Sequence, residues 1–324
     1  MHDVLIPLIP GFQPLDVVGP HEVFQAATYL LRRRGAGDGY TVTLAGSTPG
    51  PVAADSGLDL LAAVALPERG PIGTLLVPGG LGVRRVAKER PGFVAWLSRA
   101  APRAERVASV CTGAFPLAAA GLLDGRRATT HWRFARRLAD EHPSVDVACE
   151  AIWLRAGNVW TSGGVTAGID LALALVEADH GPDLAQHIAR ELVVFTRRPG
   201  GQSQFAAPVW SDPAPRPSVR AAQDHIHAEP AADLRIPVLA ARVGMSERHF
   251  SREFTRLLGS TPAEYVEQVR VEAARRLLES EPIAVSRVAS RCGFGSPETM
   301  RRAFLRRLGV PPDQYRRSFA TIDR

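Results

Sequence analysis

An α/β domain followed by an all-α domain is the architecture this 324-residue sequence predicts. Three observations carry that expectation. Short β-branched runs alternate with helical patterns through the first two thirds of the chain. A proline-rich stretch then interrupts all periodicity. Beyond it every pattern is helical, and part of it occurs twice.

The segments VLIPLI (4–9), YTVTLA (40–45), TLLVPGG (74–80) and RVASV (106–110) are strand candidates. Helical stretches lie near 20–33, 91–100, 112–121 and 164–179. This rhythm implies a parallel sheet with helices on both faces. Residues 197–218, RRPGGQSQFAAPVWSDPAPRPS, contain five prolines. Proline fixes φ and lacks an N–H, so the stretch cannot sustain a helix or a central strand and reads as an extended linker. The expected division is therefore 1–196, 197–218 and 219–324.

Composition bounds the class. The chain is 45% apolar and 22% charged, ordinary for a soluble globular protein, and it has no run of about 18 apolar residues to span a bilayer. The opening MHDVLIPLIPGF lacks a basic region and reads as a first strand, so no export signal is expected. Cys111, Cys149 and Cys292 are scattered and form no CxxC pair. That argues against a disulfide framework or structural zinc and for a reducing cytoplasm. No cofactor, metal or membrane partner is expected. Residues 219–324 hold 18 arginines and 13 acids, whereas 1–218 hold 21 basic and 20 acidic groups. The excess in the last third points to a polyanionic partner there.

The duplication gives that charge a shape. SERHFSREFTRLLG (246–259) aligns without gaps on SPETMRRAFLRRLG (296–309), and the match continues into TPAEY and PPDQY. Upstream, LAARVGM (239–245) parallels VASRCGF (288–294). Each copy reads as a helix, a glycine turn, a serine N-cap and a second helix, which is a helix-turn-helix. In the first copy Phe250, Phe254, Leu257 and Leu258 form a buried stripe, leaving Arg248, Ser251, Arg252 and Thr255 opposite. In the second, Met300, Phe304 and Leu308 face inward and Glu298, Arg301, Arg302 and Leu305 outward. Forked arginine donors match guanine O6 and N7 in a major groove. The amphipathic stretch 262–280, about 27 Å long as a helix, would hold the two readers on successive groove segments about 34 Å apart.

On these motifs, residues 220–320 resemble the DNA-binding domain of the AraC/XylS regulators. The resemblance implies an operator in double-stranded DNA and base contacts from Arg248, Ser251, Arg252, Glu298, Thr299, Arg301 and Arg302.

The first domain poses a different question. In SVCTGAFPLAAAG (109–121) a strand ends in a lone cysteine, followed by a small Thr-Gly pair and an alanine-rich helix. A thiol displayed there meets backbone N–H groups and a helix N-terminus, which predicts a lowered pKa. Gly79-Gly80 and Gly163-Gly164 read as tight strand-to-helix turns. Glu22 reads as a first-turn acid.

Together LDVVGPHEVF (15–24), VPGGLGV (77–83), SVCTGAFPLAAAGLLDGRRATTHW (109–132) and TSGGVTAGIDLALALVE (161–177) resemble the ThiJ/PfpI group of class I glutamine-amidotransferase-like domains. A flavodoxin-like sandwich is then implied for residues 3–196. The pairing with AraC-type helices is similar to bacterial regulators of the AdpA and GlxA kind. The resemblance places an acid, Asp16, in the loop after the first strand, beside Cys111 and Thr112. Isocyanide hydratases are similar in this trio, and a thiol with a protonated carboxyl suits addition followed by proton transfer. Peptidase relatives need a histidine after the cysteine, where this chain has Thr112. His131 is a more distant base or a helix-start residue. Two functions are therefore weighed. One is a DNA-binding regulator whose first domain dimerises and senses a small molecule or an oxidant, with Cys111 a sensor or a relic. The other is a hydratase-like enzyme using Cys111 and Asp16, fused to DNA-binding helices.

Overall fold

Strand β1 (His2–Pro7) buries Val4 and Ile6 in one layer of the first domain and Leu5 in another, because successive side chains of a strand point to opposite faces. Double burial of this kind explains why the predicted strands are near-continuous apolar runs. The computed structural model describes residues 2–196, 198, 200–202, 205 and 213–319. The chain divides into two compact units, Met1–Gln202 and Ser203–Arg324.

After β1 come β2 (Tyr40–Gly46), β3 (Gly50–Ala53), β4 (Asp59–Ala62), β5 (Val64–Ala65), β6 (Ile72–Val77), β7 (Ala104–Ser109), β8 (Arg127–Ala128), β9 (Asp146–Val147), β10 (Trp153–Ala156) and β11 (Val159–Ser162). The main sheet runs β10-β11-β7-β6-β1-β2-β5. Its helices are α1 (Pro14–Arg33), α2 (Val86–Glu89), α3 (Pro91–Ala100), α4 (Ala114–Ala119), α5 (Ala135–Glu141), α6 (Ala167–His180) and α7 (Pro182–Glu191). Helices α1, α6 and α7 pack with Ile6, Leu76, Ala108 and Trp160. On the other face Trp96 and Leu97 of α3, Phe115 and Leu117 of α4 and Leu138 of α5 meet Leu75, Val77, Val107 and Val159.

Three expectations change. The sheet is mixed rather than all parallel, because β10 runs antiparallel to β11; the turn at Gly157-Asn158 is too short for a crossover. Asp16 lies in the first turn of α1 instead of a loop, and Glu22 is an exposed residue farther along the same helix. The stretch read as a linker is partly structured. Arg198 pairs with Asp170 at 2.8 Å and Gln202 is buried in the first unit, while a helix begins at Pro217. Positions 206–212 lie outside the described residues.

The second unit consists of α8 (Pro217–Ala228), α9 (Ile236–Arg242), α10 (Glu247–Leu258), α11 (Pro262–Ser280), α12 (Val285–Arg291), α13 (Pro297–Leu308) and α14 (Pro312–Phe319). It has two cores. Val219, Ala222 and Ile226 of α8 meet Leu239, Phe250, Phe254 and the N-terminal half of α11, Tyr265, Val266 and Val269. The C-terminal half of α11, Val271, Ala274 and Leu278, meets Val288, Met300, Phe304, Leu308 and Tyr315. One helix thus closes the first core and opens the second.

The duplication is consequently longer than its sequence signal. At an offset of 52, Val219, Ala222 and Ile226 correspond to Val271, Ala274 and Leu278. Their polar neighbours Gln223 and His227 correspond to Arg275 and Glu279. Gln223 donates to the Tyr265 hydroxyl at 3.0 Å, and His227 Nε2 lies 2.7 Å from it. Arg275 Nε donates to the Tyr315 hydroxyl at 2.9 Å, and that hydroxyl donates to Glu279. Each tyrosine also stands edge-on to the phenylalanine of its own unit, Phe254 at 5.4 Å and Phe304 at 5.9 Å, a favoured aromatic geometry. Tyr315→Phe strips a buried hydroxyl from both an arginine and a carboxylate, so it should destabilise the helical unit by about 1–3 kcal/mol. Denaturant unfolding checks this, and a loss well below about 0.5 kcal/mol would show that the hydroxyl contributes nothing net.

Candidate functional site

The chain order reverses between β1 and β6: β2 and β5 lie on one side of β1, and β6, β7 and β11 on the other. Crevices at the carboxyl ends of strands open at such a reversal. Here the first turn of α1, after β1, delivers Asp16, and the chain after β6, β7 and β11 delivers Gly79-Gly80, Cys111-Thr112 and Gly163-Gly164. The three predicted pocket residues converge on Gly79. A β-carbon there would lie 2.6 Å from the Thr112 nitrogen and 2.8 Å from both Asp16 Oδ2 and the Cys111 β-carbon. Only glycine admits that approach.

Cys111 occupies the elbow with φ +56°, a left-handed conformation rare for a residue with a side chain. Backbone bonds brace it. Its N–H donates to the Gly163 carbonyl at 2.9 Å, and its carbonyl accepts from Thr130 Oγ1 at 2.8 Å. Thr112 Oγ1 accepts from the Gly80 N–H and donates to the Gly80 carbonyl, so the residue after the cysteine is a clamp on the glycine turn. Asp16 is fully buried. Its Oδ2 accepts from the Gly79 N–H at 2.8 Å, while Oδ1 has no hydrogen-bond partner among the described residues.

Burial reverses the expected electrostatics. Desolvation lifts the Asp16 carboxyl to about 8, against the smaller lowering by the Gly79 N–H. The Cys111 thiol is pushed up to about 12 by burial and then by the Asp16 charge, outweighing N–H donors from Val165 and Thr112. The expected lowered thiol pKa is therefore wrong for this site. The N–H donors expected at the elbow are present, but desolvation of the thiol is the larger effect. At neutral pH the pocket holds a protonated acid and a protonated thiol.

His131 caps the turn Trp132–Phe134, its Nδ1 accepting from the Arg133 N–H at 3.1 Å. The ring proton then sits on Nε2, and desolvation lowers the imidazole pKa. The ring is thus a packing and capping group rather than a base. The residue that sequence reasoning missed is Gln202. Its Oε1 accepts from the Trp132 N–H at 3.1 Å, and its amide nitrogen donates to the carbonyls of Thr130 and Ala151 at 2.9 Å. It thereby ties the Thr130–Trp132 segment, whose Thr130 hydroxyl holds the Cys111 carbonyl, to the chain at Ala151. Nothing in a proline- and glycine-rich stretch signals that role.

In the second unit, Ser246 and Ser296 cap α10 and α13 as expected, accepting from the His249 and Thr299 N–H groups. Arg248, Arg252, Glu298, Thr299, Arg301 and Arg302 are exposed, whereas Ser251 is half-buried. Arg252 lies 3.1 Å from His249 Nδ1, and Arg301 lies 3.8 Å from Glu298. Other arginines are committed internally. Arg216 and Arg256 hold Glu253, and Arg306 and Arg307 hold Glu267. Part of the basic excess is therefore scaffold.

The raised Asp16 carboxyl has a thermodynamic consequence. The folded group keeps its proton up to about pH 8, while an unfolded one releases it near about pH 4. Folding takes up a proton across that window, so this contribution to stability is lost as pH rises through it. Asp16→Asn should remove that slope, gaining stability on the wild type as pH rises from about 5 to about 8. Unfolding curves whose separation does not change with pH would contradict the buried, protonated acid.

Comparisons with known proteins follow the same division. Residues 2–178 match the model of the DJ-1/PfpI family, and residues 239–318 match a helix-turn-helix domain. The HTH-type transcriptional regulator Rv1931c of Mycobacterium tuberculosis is 37% identical over 270 residues, covering 77% of this chain and 96% of that one. The HTH-type transcriptional regulator CdhR of Pseudomonas aeruginosa is 30% identical over 311 residues, 95% of this chain and 90% of that one. Isonitrile hydratase of Pseudomonas putida is 35% identical over 185 residues, 57% of this chain and 75% of the enzyme. Among the described residues no helix is long and apolar enough to cross a membrane. A buried Asp-Cys crevice on one unit, two capped arginine-bearing helices on the other and full-length similarity to regulators agree: the chain belongs to the DJ-1/PfpI family, among the HTH-type transcriptional regulators with an AraC-type DNA-binding domain.

Proposed function

We infer that α10 and α13 read adjacent major-groove segments of an operator, with the DJ-1/PfpI unit as the sensing and dimerising half. The carrying observation is the duplication itself: Arg252 and Arg302 sit at the same place on two capped helices, both exposed. Direct readout by Arg248, Arg252, Arg301 and Arg302, with Ser251, Glu298 and Thr299 beside them, accounts for a face that packing does not require. Arg252→Ala or Arg302→Ala should weaken binding to a duplex selected by the full-length protein by about 1–3 kcal/mol, measured at fixed salt. Unchanged affinity in both variants would sink the docking.

The pocket favours a small ligand over an oxidant. Oxidation proceeds through thiolate, and a thiol pushed up to about 12 supplies almost none at neutral pH. The unpartnered Asp16 Oδ1 instead suits a group that accepts a proton or a hydrogen bond in a dry site. Hydration of isonitriles is the second reading, supported by the same Asp16–Cys111–Thr112 trio and by the partial similarity to isonitrile hydratase. Cys111→Ala should leave operator affinity without ligand unchanged, and mild peroxide should leave wild-type affinity unchanged. Turnover of an isonitrile that disappears in Cys111→Ala would promote the enzyme reading, and a peroxide response confined to the wild type would restore the redox one.

A further inference from the structure

The two helix-turn-helix units share more than a helix. Arg270 lies in α11 between the residues committed to the first core and those committed to the second. Its guanidinium turns back to the first helix-turn-helix, donating from Nε to the Pro230 carbonyl at 2.9 Å and from Nη2 to the Ala232 carbonyl at 3.0 Å. These carbonyls belong to the loop between α8 and α9. The same loop rests on the second helix-turn-helix at Gly293, in the turn between α12 and α13. A β-carbon at Gly293 would lie 2.6 Å from the Pro230 oxygen, 2.9 Å from the Ala231 α-carbon and 3.0 Å from Arg270 Nε.

The repeat provides an internal control. Gly244 is the equivalent residue of the first turn, and both glycines adopt positive φ, +66° and +76°. Around Gly244 nothing lies within 4 Å of a β-carbon. Backbone conformation alone therefore accounts for Gly244, whereas Gly293 has a second requirement, contact with the other unit. Around this contact a groove of about 570 Å³ is lined by Glu247 and Thr299, from the first turns of α10 and α13, with Arg270 and Phe294. The joint thus sits beside the starting ends of both reading helices.

We propose that Arg270 and Gly293 are positioning residues that set the angle and separation of α10 and α13, and so determine which spacing between two operator segments the protein accepts. This inference rests on the reading of both helices as contacts to one duplex. A shared helix alone leaves a bend and a twist between the units free to vary; two hydrogen bonds and a backbone-to-backbone contact off its axis remove them. Inserting one base pair rotates one DNA segment by about 35° relative to the other, so a rigid pair of readers discriminates against it and a loosened pair does not.

The experiment uses the full chain and a duplex selected from random sequence by the wild type, with derivatives carrying one inserted or one deleted base pair between the contacted segments. The wild type should lose about tenfold or more in affinity on the altered spacings. Arg270→Met and Gly293→Asn should bind the selected duplex more weakly and lose less than about threefold on changing the spacing. Gly244→Asn, where asparagine tolerates the same positive φ, should retain the wild-type spacing penalty. Amide exchange gives a DNA-independent readout: the 230–235 loop should exchange faster in Arg270→Met and Gly293→Asn but not in Gly244→Asn. A wild-type spacing penalty in both joint variants overturns the proposal, as does equal damage from Gly244→Asn. Should the wild type select no sequence, the DNA reading fails. The joint then stands or falls on the exchange data alone, and unaltered protection of the loop in both joint variants overturns it.

Discussion

Helix α11 has to satisfy two cores at once, and the helical unit depends on its doing so. Its first half presents Tyr265, Val266 and Val269 to one set of helices, and its second half presents Val271, Ala274 and Leu278 to another. Neither helix-turn-helix is complete without it, because each buries its aromatic stripe against a face that α11 supplies. A capping box at Thr261 and Glu264 fixes where the helix begins. That start also places Tyr265 next to Phe254. The two helix-turn-helix motifs thus share one hydrogen-bonded rod, and the contacts of Arg270 and Gly293 with the 230–232 chain lie off its axis.

Burial of polar groups governs the other unit in a similar way. The chain beyond four strand ends brings Asp16, Gly79, Cys111 and Gly163 together and buries the Asp16 and Cys111 side chains. In such a place a carboxyl and a thiol both hold their protons. The same elbow in a more open, electropositive setting would furnish a nucleophile. Local geometry is thus compatible with catalysis, while burial keeps both groups in their neutral forms. A fold that hosts enzymes does not by itself confer their chemistry. Gln202 adds a structural link, since a residue near the end of the α/β unit is bound to the Thr130–Trp132 segment, whose Thr130 hydroxyl holds the Cys111 carbonyl, and to Ala151.

Much of this was legible in the sequence. Strand and helix positions followed from periodicity, and the helix-turn-helix pair from a repeat in which Ser246, Phe254 and Gly259 recur as Ser296, Phe304 and Gly309 at one offset. The exposed face of each reading helix followed from the same spacing, apart from Ser251, which neighbouring turns half cover. The correspondence of α8 with the second half of α11 did not. There the apolar positions repeat, but the polar partners of the two tyrosines differ in kind, Gln and His in one copy and Arg and Glu in the other. Sequence similarity is blind to a role conserved through different chemistry.

Element type, the inward stripe and the capping residues are local properties, set by side-chain size, branching and hydrogen-bonding capacity within a few residues, and the chain alone determined them. Tertiary structure decided what depends on neighbours distant in sequence. The thiol and carboxyl shifted upward because residues from four strand ends desolvated them together. Gly293 became crowded and Gly244 did not, although both stand in the same local turn. A glutamine in a stretch without pattern became a strap because two segments distant in sequence, Thr130–Trp132 and Ala151, offered it matching donors and acceptors. Proximity across long chain separations, and the water it expels, is the quantity that no local window of residues contains.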